Sequence, residues 1–441
     1  MKTLKPFSAV YLLNLKSFYL FLFISCLGTR ILTSIDYLED IDSMRFALSL
    51  FDYNISELRP HFPGYPIFYF FAKIIYSLIG SVQLTFSLIG GISTFIIIFY
   101  SNLIFEMVIK KRSLFLSALI FINPFLWNLG NRYMSDLLGL SFLIMSTYYL
   151  LSGFNLKQKE KLLFGILLIG FSTGIRISFL PFLLPLFLYT TYYSPKISFL
   201  NAIGVLTIGI LIWLIPLLVT TGLDNLISLS LRHISGHFFE WGGSVISSNS
   251  TYAFRLLKTF ESIWADGMGG FWLGRNKVTI IVSLGWILSF IFNYKLRSIL
   301  KEKSQLTLFL LFASIFFYFV WIFFFQNVIY KPRHIIPILP FVSMISSTGL
   351  ILLTRSNNIL KIVPLNFLCV LAFVTSYLNW QHQFPSAISQ AKTYVINDGL
   401  SSKVFVSSSL INSYMKKHNG SEDIIFSNHR NINSIKKYYD L

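Results

Sequence analysis

Residues 306–325 read LTLFLLFASIFFYFVWIFFF, a run of twenty positions without a charged side chain. An apolar run of this length is long enough for a helix to cross a lipid bilayer. The run does not alternate between apolar and polar residues, as the strands of a membrane β-barrel do, so a barrel is excluded. Inside lipid only a helix satisfies all the backbone groups of such a run. The run therefore predicts an all-α membrane protein.

The rest of the chain has the same character. Of its 441 residues 54% are hydrophobic, and only 12% are Asp, Glu, Lys or Arg, about half the charged share of a soluble domain. A soluble enzyme, a disordered protein and a fibrous repeat are excluded. We predict a polytopic bundle of about eleven membrane-spanning stretches: 17–35, 83–108, 114–130, 136–152, 162–175, 177–193, 198–221, 278–293, 306–326, 335–353 and 362–380. The shorter apolar stretch 64–80 contains Lys73 and predicts an amphipathic or half-inserted helix.

The distribution of charge predicts the orientation. The segments that we expect on the same side of the membrane as the N-terminus hold 16 basic and 3 acidic residues. Basic residues collect in cytoplasmic loops, so we expect a cytoplasmic N-terminus and an extracytoplasmic C-terminus. The net charge of +18 follows from this bias, and no nucleic-acid partner is expected. Residues 1–380 are then the membrane domain, and the less hydrophobic residues 381–441 form a small extracytoplasmic α/β appendage with strands at 403–407 and 423–426.

Four acidic residues follow the first span within seven positions, namely Asp36, Glu39, Asp40 and Asp42. They begin the first outer loop, 36–82. Carboxylates clustered in this way can hold a divalent cation such as Mg²⁺ or Mn²⁺, share a proton, or act as a general base. In an extended loop Asp40 and Asp42 would point the same way and share a metal or a proton. The alternative is a solvated acidic loop without a chemical role.

Other candidate residues lie at the predicted outer ends of the spans. The segment Arg59-Pro-His61-Phe-Pro-Gly-Tyr65-Pro66 is a rigid turn that places His61 near the acidic cluster. Arg132 and Asp136 are four residues apart and could pair on one helix face. Arg176 lies in an apolar region, where arginines tend to face a cavity or an anion.

The segment Tyr330-Lys331-Pro-Arg333-His334 carries two cations and a histidine at the mouth of a span. Lys331 and Arg333 could hold a phosphate at the membrane surface, and the alternative is snorkelling towards lipid headgroups. The long outer loop 222–277 contains His233, His237 and Trp241. Its tryptophan and tyrosine residues, which lie near Glu240, Glu261 and Asp266, suit either a sugar or the aromatic belt of the membrane. The two histidines have the spacing of a metal pair but lack the surrounding motif of a zinc protease.

These motifs resemble those of GT-C-fold integral membrane glycosyltransferases, which include protein O-mannosyltransferases and lipid A aminoarabinose transferases. Asp40-Ile-Asp42-Ser43 follows the first span, where that family keeps its catalytic acid. Residues 60–66 are similar to its His-Pro-Pro-Gly-Tyr-Pro box, with Phe62 in place of a proline. Arg132 to Asp136 resembles its Arg-x-x-x-x-Asp element with one residue fewer, and residues 333–340 resemble its Arg-Tyr-x-x-Pro-x-x-Pro element.

The resemblance implies a sugar donor on a polyprenyl phosphate and a hydroxyl acceptor on a lipid, glycan or protein, at the outer face of what we expect to be a bacterial inner membrane. It implies Asp42, or else Asp40, as the catalytic base. The expected substrate-binding residues are Glu39, His61, Tyr65, Arg132, Asp136, Arg176, Lys331, Arg333 and His334, with Asp40 and Asp42 as ligands of any metal. The alternatives are a transporter or flippase for a lipid-linked or anionic solute, a non-catalytic membrane scaffold, and, among enzymes, a hydrolase or a lipid-linked sugar polymerase.

Overall fold

The computed structural model describes residues 15–293, 302–356, 359–397, 403–418 and 424–428. The first part of the chain forms helices α1 (Leu15–Leu32), α2 (Ile41–Ser49), α3 (Pro66–Ile79), α4 (Val82–Ile109), α5 (Leu114–Phe121), α6 (Pro124–Asn131), α7 (Asp136–Leu156), α8 (Lys159–Arg176) and α9 (Leu180–Tyr192). Short 3-10 turns at Ile55–Glu57 and Ile177–Phe179 interrupt them.

The second part continues with α10 (Phe199–Thr221), α11 (Leu223–Ser235), α12 (Tyr252–Glu261), α13 (Thr279–Phe292), α14 (Glu302–Phe325), α15 (Leu339–Thr354) and α16 (Val363–Gln381). Two π-helical turns, Gly236–Glu240 and Ser262–Gly267, extend α11 and α12, and 3-10 turns at Pro332–Ile338 and Ile359–Ile362 lead into α15 and α16. The predicted outer loop 222–277 is therefore partly helical.

The protein is a multi-pass integral membrane protein. Within the described residues, seven helical runs are long and apolar enough to cross a membrane, or eight if the bent pair α5 and α6 counts as one span. The apolar helices α3 and α13 have 14 residues each and reach only about 21 Å, less than the bilayer core. Each predicted stretch overlaps a helix, but the count of eleven spans is not confirmed. Helix α3 covers the stretch 64–80, which we predicted to be too short to cross.

Helices α8 and α9 turn back on each other. The backbone of Arg176 (φ −154°, ψ 86°) breaks the helical run. The Phe179 ring lies beside Gly139, near the start of α7. Tyr189 packs 5.7 Å, between ring centroids, from Phe154 near the end of α7. Helix α9 therefore runs back along α7, in agreement with the predicted break between 162–175 and 177–193.

The segments that we predicted to lie outside meet at one end of the bundle, which we call the site end. The Arg132 guanidinium binds Asp40 there, and Arg333 binds Asp42. At the opposite end, the Ser113 and Ser347 hydroxyls are 2.6 Å apart. Loops therefore lie alternately at the site end and at the opposite end, as the sequence-based topology expects. Which end faces the cytoplasm stays a prediction. Residues 1–14 lie outside the described residues.

Small residues allow the helices near the site end to approach closely. A Cβ atom added to Gly90 of α4 would lie 1.8 Å from the carbonyl oxygen of Gly130 in α6. Glycine is therefore required at this crossing, as at many helix contacts inside membranes. The crossing holds the end of α6, and with it Arg132, against the bundle.

The C-terminal segment has helix α17 (Ala387–Asn397), strand β1 (Lys403–Ser407), helix α18 (Ser409–His418) and strand β2 (Ile424–Asn428). Strands β1 and β2 are parallel, with Lys403 opposite Ile424. The first predicted strand is found at its predicted position and the second starts one residue later, at 424. Tyr414 and Met415 are buried in the same apolar cluster as Tyr37, so this segment docks on the membrane part. Residues 398–402, 419–423 and 429–441 lie outside the described part, and the domain boundary at 380 stays a prediction.

Candidate active site

Asp42 is placed by the start of α2. The Asp40 side chain is the N-cap and accepts a hydrogen bond of 2.8 Å from the Ser43 backbone N–H. Asp42 lies in the first turn and is buried. A negative charge in the first turn of a helix is stabilised by the helix dipole. The expected extended loop is not found, because a helix begins at Ile41 and the two carboxylates have different partners; the shared proton or metal is not confirmed.

Three cations surround the Asp42 carboxylate. Oδ2 accepts hydrogen bonds from Arg333 Nη2 at 2.8 Å and from Lys331 Nζ at 3.0 Å. Oδ1 accepts one from Arg45 Nη1 at 3.0 Å. The side chains of Asp42 and Arg333 are only 9% and 8% exposed, whereas that of Lys331 is 44% exposed. Asp136 and Asp40 also act on Arg333. Counted with their partners Arg132 and Arg176 and with Glu39, the charged groups at the site end are five cations and four carboxylates, a surplus of one positive charge that suits a further anion.

His61 and Tyr65 form the wall beside Asp42. The Tyr65 hydroxyl is 2.9 Å from His61 Nε2, and His61 Nδ1 is 3.9 Å from Asp42 Oδ1. Gly64 has φ +86°, and a Cβ atom there would lie 2.4 Å from Ile55 Cδ1, so the turn requires glycine. Tyr65 itself has φ +47°, a left-handed conformation that is uncommon for a bulky residue. The turn therefore fixes the direction of both side chains.

Burial and charge act in opposite directions on Asp42. Burial raises the pKa of its carboxyl group, but His61, Arg333 and Lys331 lower it more, so that the pKa lies well below its usual range. Burial lowers the pKa of His61 to about 3, so that this imidazole is neutral at pH 7. The cations beside the ionised Asp42 are therefore Arg333 and Lys331 on one oxygen and Arg45 on the other, and the carboxylate is a weak base while they hold it.

A second charged group lies behind this cluster. Arg132 Nε is 2.9 Å from Glu39 Oε2, and its Nη2 is 2.5 Å from Asp40 Oδ2. His382 Nε2 lies 2.8 Å from Glu39 Oε1. The predicted pairing of Arg132 with Asp136 is wrong, because Arg132 turns towards the first loop.

Asp136 pairs instead with Arg176. Asp136 Oδ1 is 2.9 Å from Arg176 Nη2, and their side chains are 0% and 6% exposed. Beside this pair, Arg333 Nη1 donates to the Met134 sulfur at 2.7 Å. His334 is buried, and its backbone carbonyl accepts a hydrogen bond of 2.8 Å from the Tyr318 hydroxyl. Within the cluster at the site end, Asp136 and Arg176 are the most deeply enclosed charges.

Aromatic side chains of α11 and the π-helical turn after it extend the wall at His61. The ring of His233 lies 6.2 Å from that of His61 and 6.2 Å from that of His237. The His233 and His237 rings are stacked at 6°, so they face each other instead of converging on a metal ion. Trp241 packs edge-on against His233 at 5.2 Å.

The described residues do not favour the predicted divalent cation. Among them, no group of three or more His, Cys, Asp or Glu side chains comes together to hold a metal. Asp40 binds Arg132, and Asp42 binds Arg45, Lys331 and Arg333. A divalent metal ion would be repelled by these four cationic side chains. The donor set at this place fits an anion, and the metal prediction is not confirmed.

The comparisons with known proteins identify the fold. No protein-family model matches the sequence, and no curated protein matches it. The crystal structure of ArnT from Cupriavidus metallidurans bound to undecaprenyl phosphate aligns with a TM-score of 0.59 over 96% of this chain and 91% of that chain, at 11% identity. ArnT in the apo state gives the same score and coverage at 10% identity. The chain has the ArnT fold.

ArnT has the GT-C fold that the sequence motifs resemble, and this confirms the predicted fold class. At 11% identity the likeness to ArnT shows the fold and not the chemistry. An oligosaccharyltransferase from Archaeoglobus fulgidus aligns with a TM-score of 0.48 at 12% identity, over 91% of this chain and 63% of that chain. The role of each residue therefore rests on the geometry described above.

The structure brings Asp42, His61, Tyr65, Lys331 and Arg333 together, as predicted. Sequence reasoning did not assign a role to Arg45, although its position three residues after Asp42 on a helix is a recognisable pairing signal. It also missed His382, which is 343 residues from Glu39. No local pattern connects positions so far apart. His233 was noted only for its spacing to His237, and its stack on His61 became visible in the fold.

Proposed function

We propose that this protein is a membrane glycosyltransferase that moves a sugar from a polyprenyl-phosphate donor to a hydroxyl group of a glycan, lipid or protein. The observation that carries the proposal is the Asp42 cluster: one buried carboxylate held by Arg45, Lys331 and Arg333 at one end of an apolar bundle. Such a cluster offers a base and an anion site side by side. The ArnT fold supports the same function.

The surplus cations are suited to the donor phosphate. Arg333 offers a planar fork that can bind two phosphate oxygens, and Lys331 supplies a mobile point charge. A phosphate that binds these two groups competes with Asp42 for them. Because both groups lower the Asp42 pKa, donor binding raises that pKa and makes Asp42 a better base, while Arg45 stays on its other oxygen. Binding and activation are then coupled through the same two side chains.

The transfer is a direct displacement. The acceptor oxygen forms a bond to the anomeric carbon, and the bond from that carbon to the phosphate oxygen breaks. The acceptor proton goes to an Asp42 oxygen, and polyprenyl phosphate leaves with one more negative charge. Arg333 and Lys331 stabilise that developing charge. The His61 imidazole and the Tyr65 hydroxyl lie beside the Asp42 carboxylate. Because both are uncharged, they do not compete with Arg333 and Lys331 for the phosphate.

Mass spectrometry of glycans and lipid-linked sugars tests the function. A strain lacking the protein is compared with strains that carry the natural protein or the Asp42→Asn variant. We expect both the empty strain and the variant strain to lose one sugar from an envelope glycan, lipid or protein and to accumulate its polyprenyl-linked precursor. Identical glycan and precursor profiles in all strains would refute the proposal.

We also propose that the site end faces the outside of a bacterial inner membrane. Asn249 at the site end and Lys196 between α9 and α10 are both exposed. In a protein without Cys26 and Cys369, a thiol at Asn249→Cys should react with an impermeant reagent in intact cells, and one at Lys196→Cys only after lysis. The reverse pattern would place the site in the cytoplasm.

A further inference from the structure

A cavity of about 730 Å³ lies at the site end between residues 241–254 and the pair Ile329 and Tyr330. Its walls combine three aromatic side chains, Trp241, Phe254 and Tyr330, with a row of hydroxyl and amide groups on Ser247, Ser248, Asn249, Ser250 and Thr251. Trp241 and Tyr330 are 56% and 76% exposed, so both rings present free surface. The volume lies within the range of ligand sites.

The cavity adjoins the Asp42 cluster on two sides. Tyr330 directly precedes Lys331, whose ammonium lies 3.0 Å from Asp42. On the other wall, Trp241 packs 5.2 Å from His233, and His233 stacks on His61 next to Asp42. Both walls of the cavity are therefore linked to the Asp42 cluster through neighbouring residues.

The lining selects the chemical class of the ligand. No lining residue of this cavity carries a charge, so a phosphate belongs at Lys331 and Arg333 and not here. Hydroxyl and amide groups offer both donors and acceptors, and the ring faces of Trp and Tyr pack against apolar C–H surfaces. A pyranose ring has both features, hydroxyl groups at its rim and C–H groups on its faces.

We propose that this cavity is a saccharide subsite, which binds the sugar of the donor or of the acceptor next to Asp42. The assignment to a substrate rests on the proposed glycosyl transfer. Binding of a free sugar to the cavity does not depend on it, and the test makes use of this difference.

The test measures sugar binding to the full-length protein in detergent by saturation-transfer NMR. The probes are methyl pyranosides of glucose, galactose, mannose, xylose, N-acetylglucosamine and 4-amino-arabinose. We expect at least one to bind, and Trp241→Ala and Tyr330→Ala each to weaken its binding at least tenfold. Trp380→Ala is the matched control, because this exposed tryptophan lies at the site end outside the cavity lining and should leave binding unchanged.

Two results would overturn the subsite: no pyranoside binds, or binding is as strong in Trp241→Ala and Tyr330→Ala as in the natural protein. Binding of undecaprenyl phosphate, compared between the natural protein and Arg333→Ala, is measured in parallel. Sugar binding without Arg333-dependent lipid binding would count against the proposed transferase and not against the cavity. Lipid binding that depends on Arg333, without sugar binding, would count against the cavity as a saccharide subsite and not against the proposed transferase.

A competition experiment decides which sugar the cavity takes. Farnesyl phosphomannose carries the donor's sugar and phosphate on a short lipid. If it displaces the bound pyranoside, the cavity holds the donor sugar. If both bind together, the cavity holds the acceptor. Either result supports a saccharide subsite.

Discussion

Two buried carboxylates, Asp42 and Asp136, lie in the first turns of α2 and α7, yet their surroundings differ. Asp42 has three cationic partners, and one of them, Lys331, is 44% exposed. Asp136 has one cationic partner, Arg176, and neither side chain is more than 6% exposed. The first cluster has a surplus charge and a partner that can leave, whereas the second is matched and closed. On this comparison we expect the carboxylate with an exchangeable partner, Asp42, to be the reactive one, and the closed pair of Asp136 and Arg176 to hold helices together.

The sharpest test of this comparison is Asp42→Asn. A general base contributes about 10²–10⁴-fold to a rate, so we expect sugar transfer to fall by at least that factor. Binding of undecaprenyl phosphate should be preserved or become tighter, because Arg333 and Lys331 lose the carboxylate that competes with the phosphate. Transfer is measured with radiolabelled donor, and lipid binding with the purified protein.

Asp40→Asn is the matched control for that variant. Asparagine is also a good N-cap, so we expect little loss of stability and near-normal transfer. Loss of transfer in Asp40→Asn with activity kept in Asp42→Asn would move the base by two residues. Activity in both variants would show that the acidic loop is not the catalytic site.

The closed pair predicts a loss of stability. Asp136→Ala leaves Arg176 as a buried charge without a partner, which costs about 3–5 kcal/mol. We expect a lower thermal unfolding temperature in detergent, and partial recovery in the double variant Asp136→Ala/Arg176→Met, which removes the stranded charge. If Asp136→Ala unfolds normally but loses transfer, Asp136 belongs to the substrate site, as the sequence motif implied.

Arg333 and Lys331, the two cations that we expect to bind the donor phosphate, should differ in how well they tolerate substitution by the other basic residue. Arg333 is buried and binds through its fork, so Arg333→Lys should weaken undecaprenyl phosphate binding about 10–100-fold, in line with about 1.5–3 kcal/mol for a hydrogen bond to a charged group. Lys331 is half-exposed, so Lys331→Arg should change binding less. Both are measured by titration of the purified protein with the lipid. Equal effects of the two exchanges would show that only the net charge matters.

The fold could be predicted largely from the sequence, because a run such as 306–325 has one stable form in lipid. The site was predictable where its chemistry is local, as in Asp42, the 60–66 turn and Arg333. It was not predictable where partners come from distant helices: Arg132 was expected to pair with Asp136, four residues away. The bundle instead gives it Glu39 and Asp40. Tertiary packing overrides a helix-spacing rule when several acidic groups compete for one arginine.

The smallest expected effect is a dependence on pH. It distinguishes the contribution of the wall histidines, His61 and His233, from that of the Asp42 cluster. Burial lowers the pKa of His61 to about 3 and that of His233 to about 4, both below the unperturbed value of about 6.5. The folded wall therefore binds fewer protons than the unfolded chain. Its stabilisation is complete above about pH 6.5 and decreases as the pH falls through 6.5 towards 4.

Nearby cations act in the same direction. His61 faces Arg45 and Arg333 as well as Asp42, and His233 faces His237 and Arg45. Below pH 6 we expect the loop 222–277 to detach from the first loop. Ser248→Cys, in a protein without native cysteines, should then be labelled faster at pH 5 than at pH 7 relative to an unburied model thiol. Adding His233→Gln, which keeps a polar side chain but cannot titrate in this range, should reduce that pH dependence. A pH profile that His233→Gln leaves unaltered would show that the titration of His233 does not release the loop.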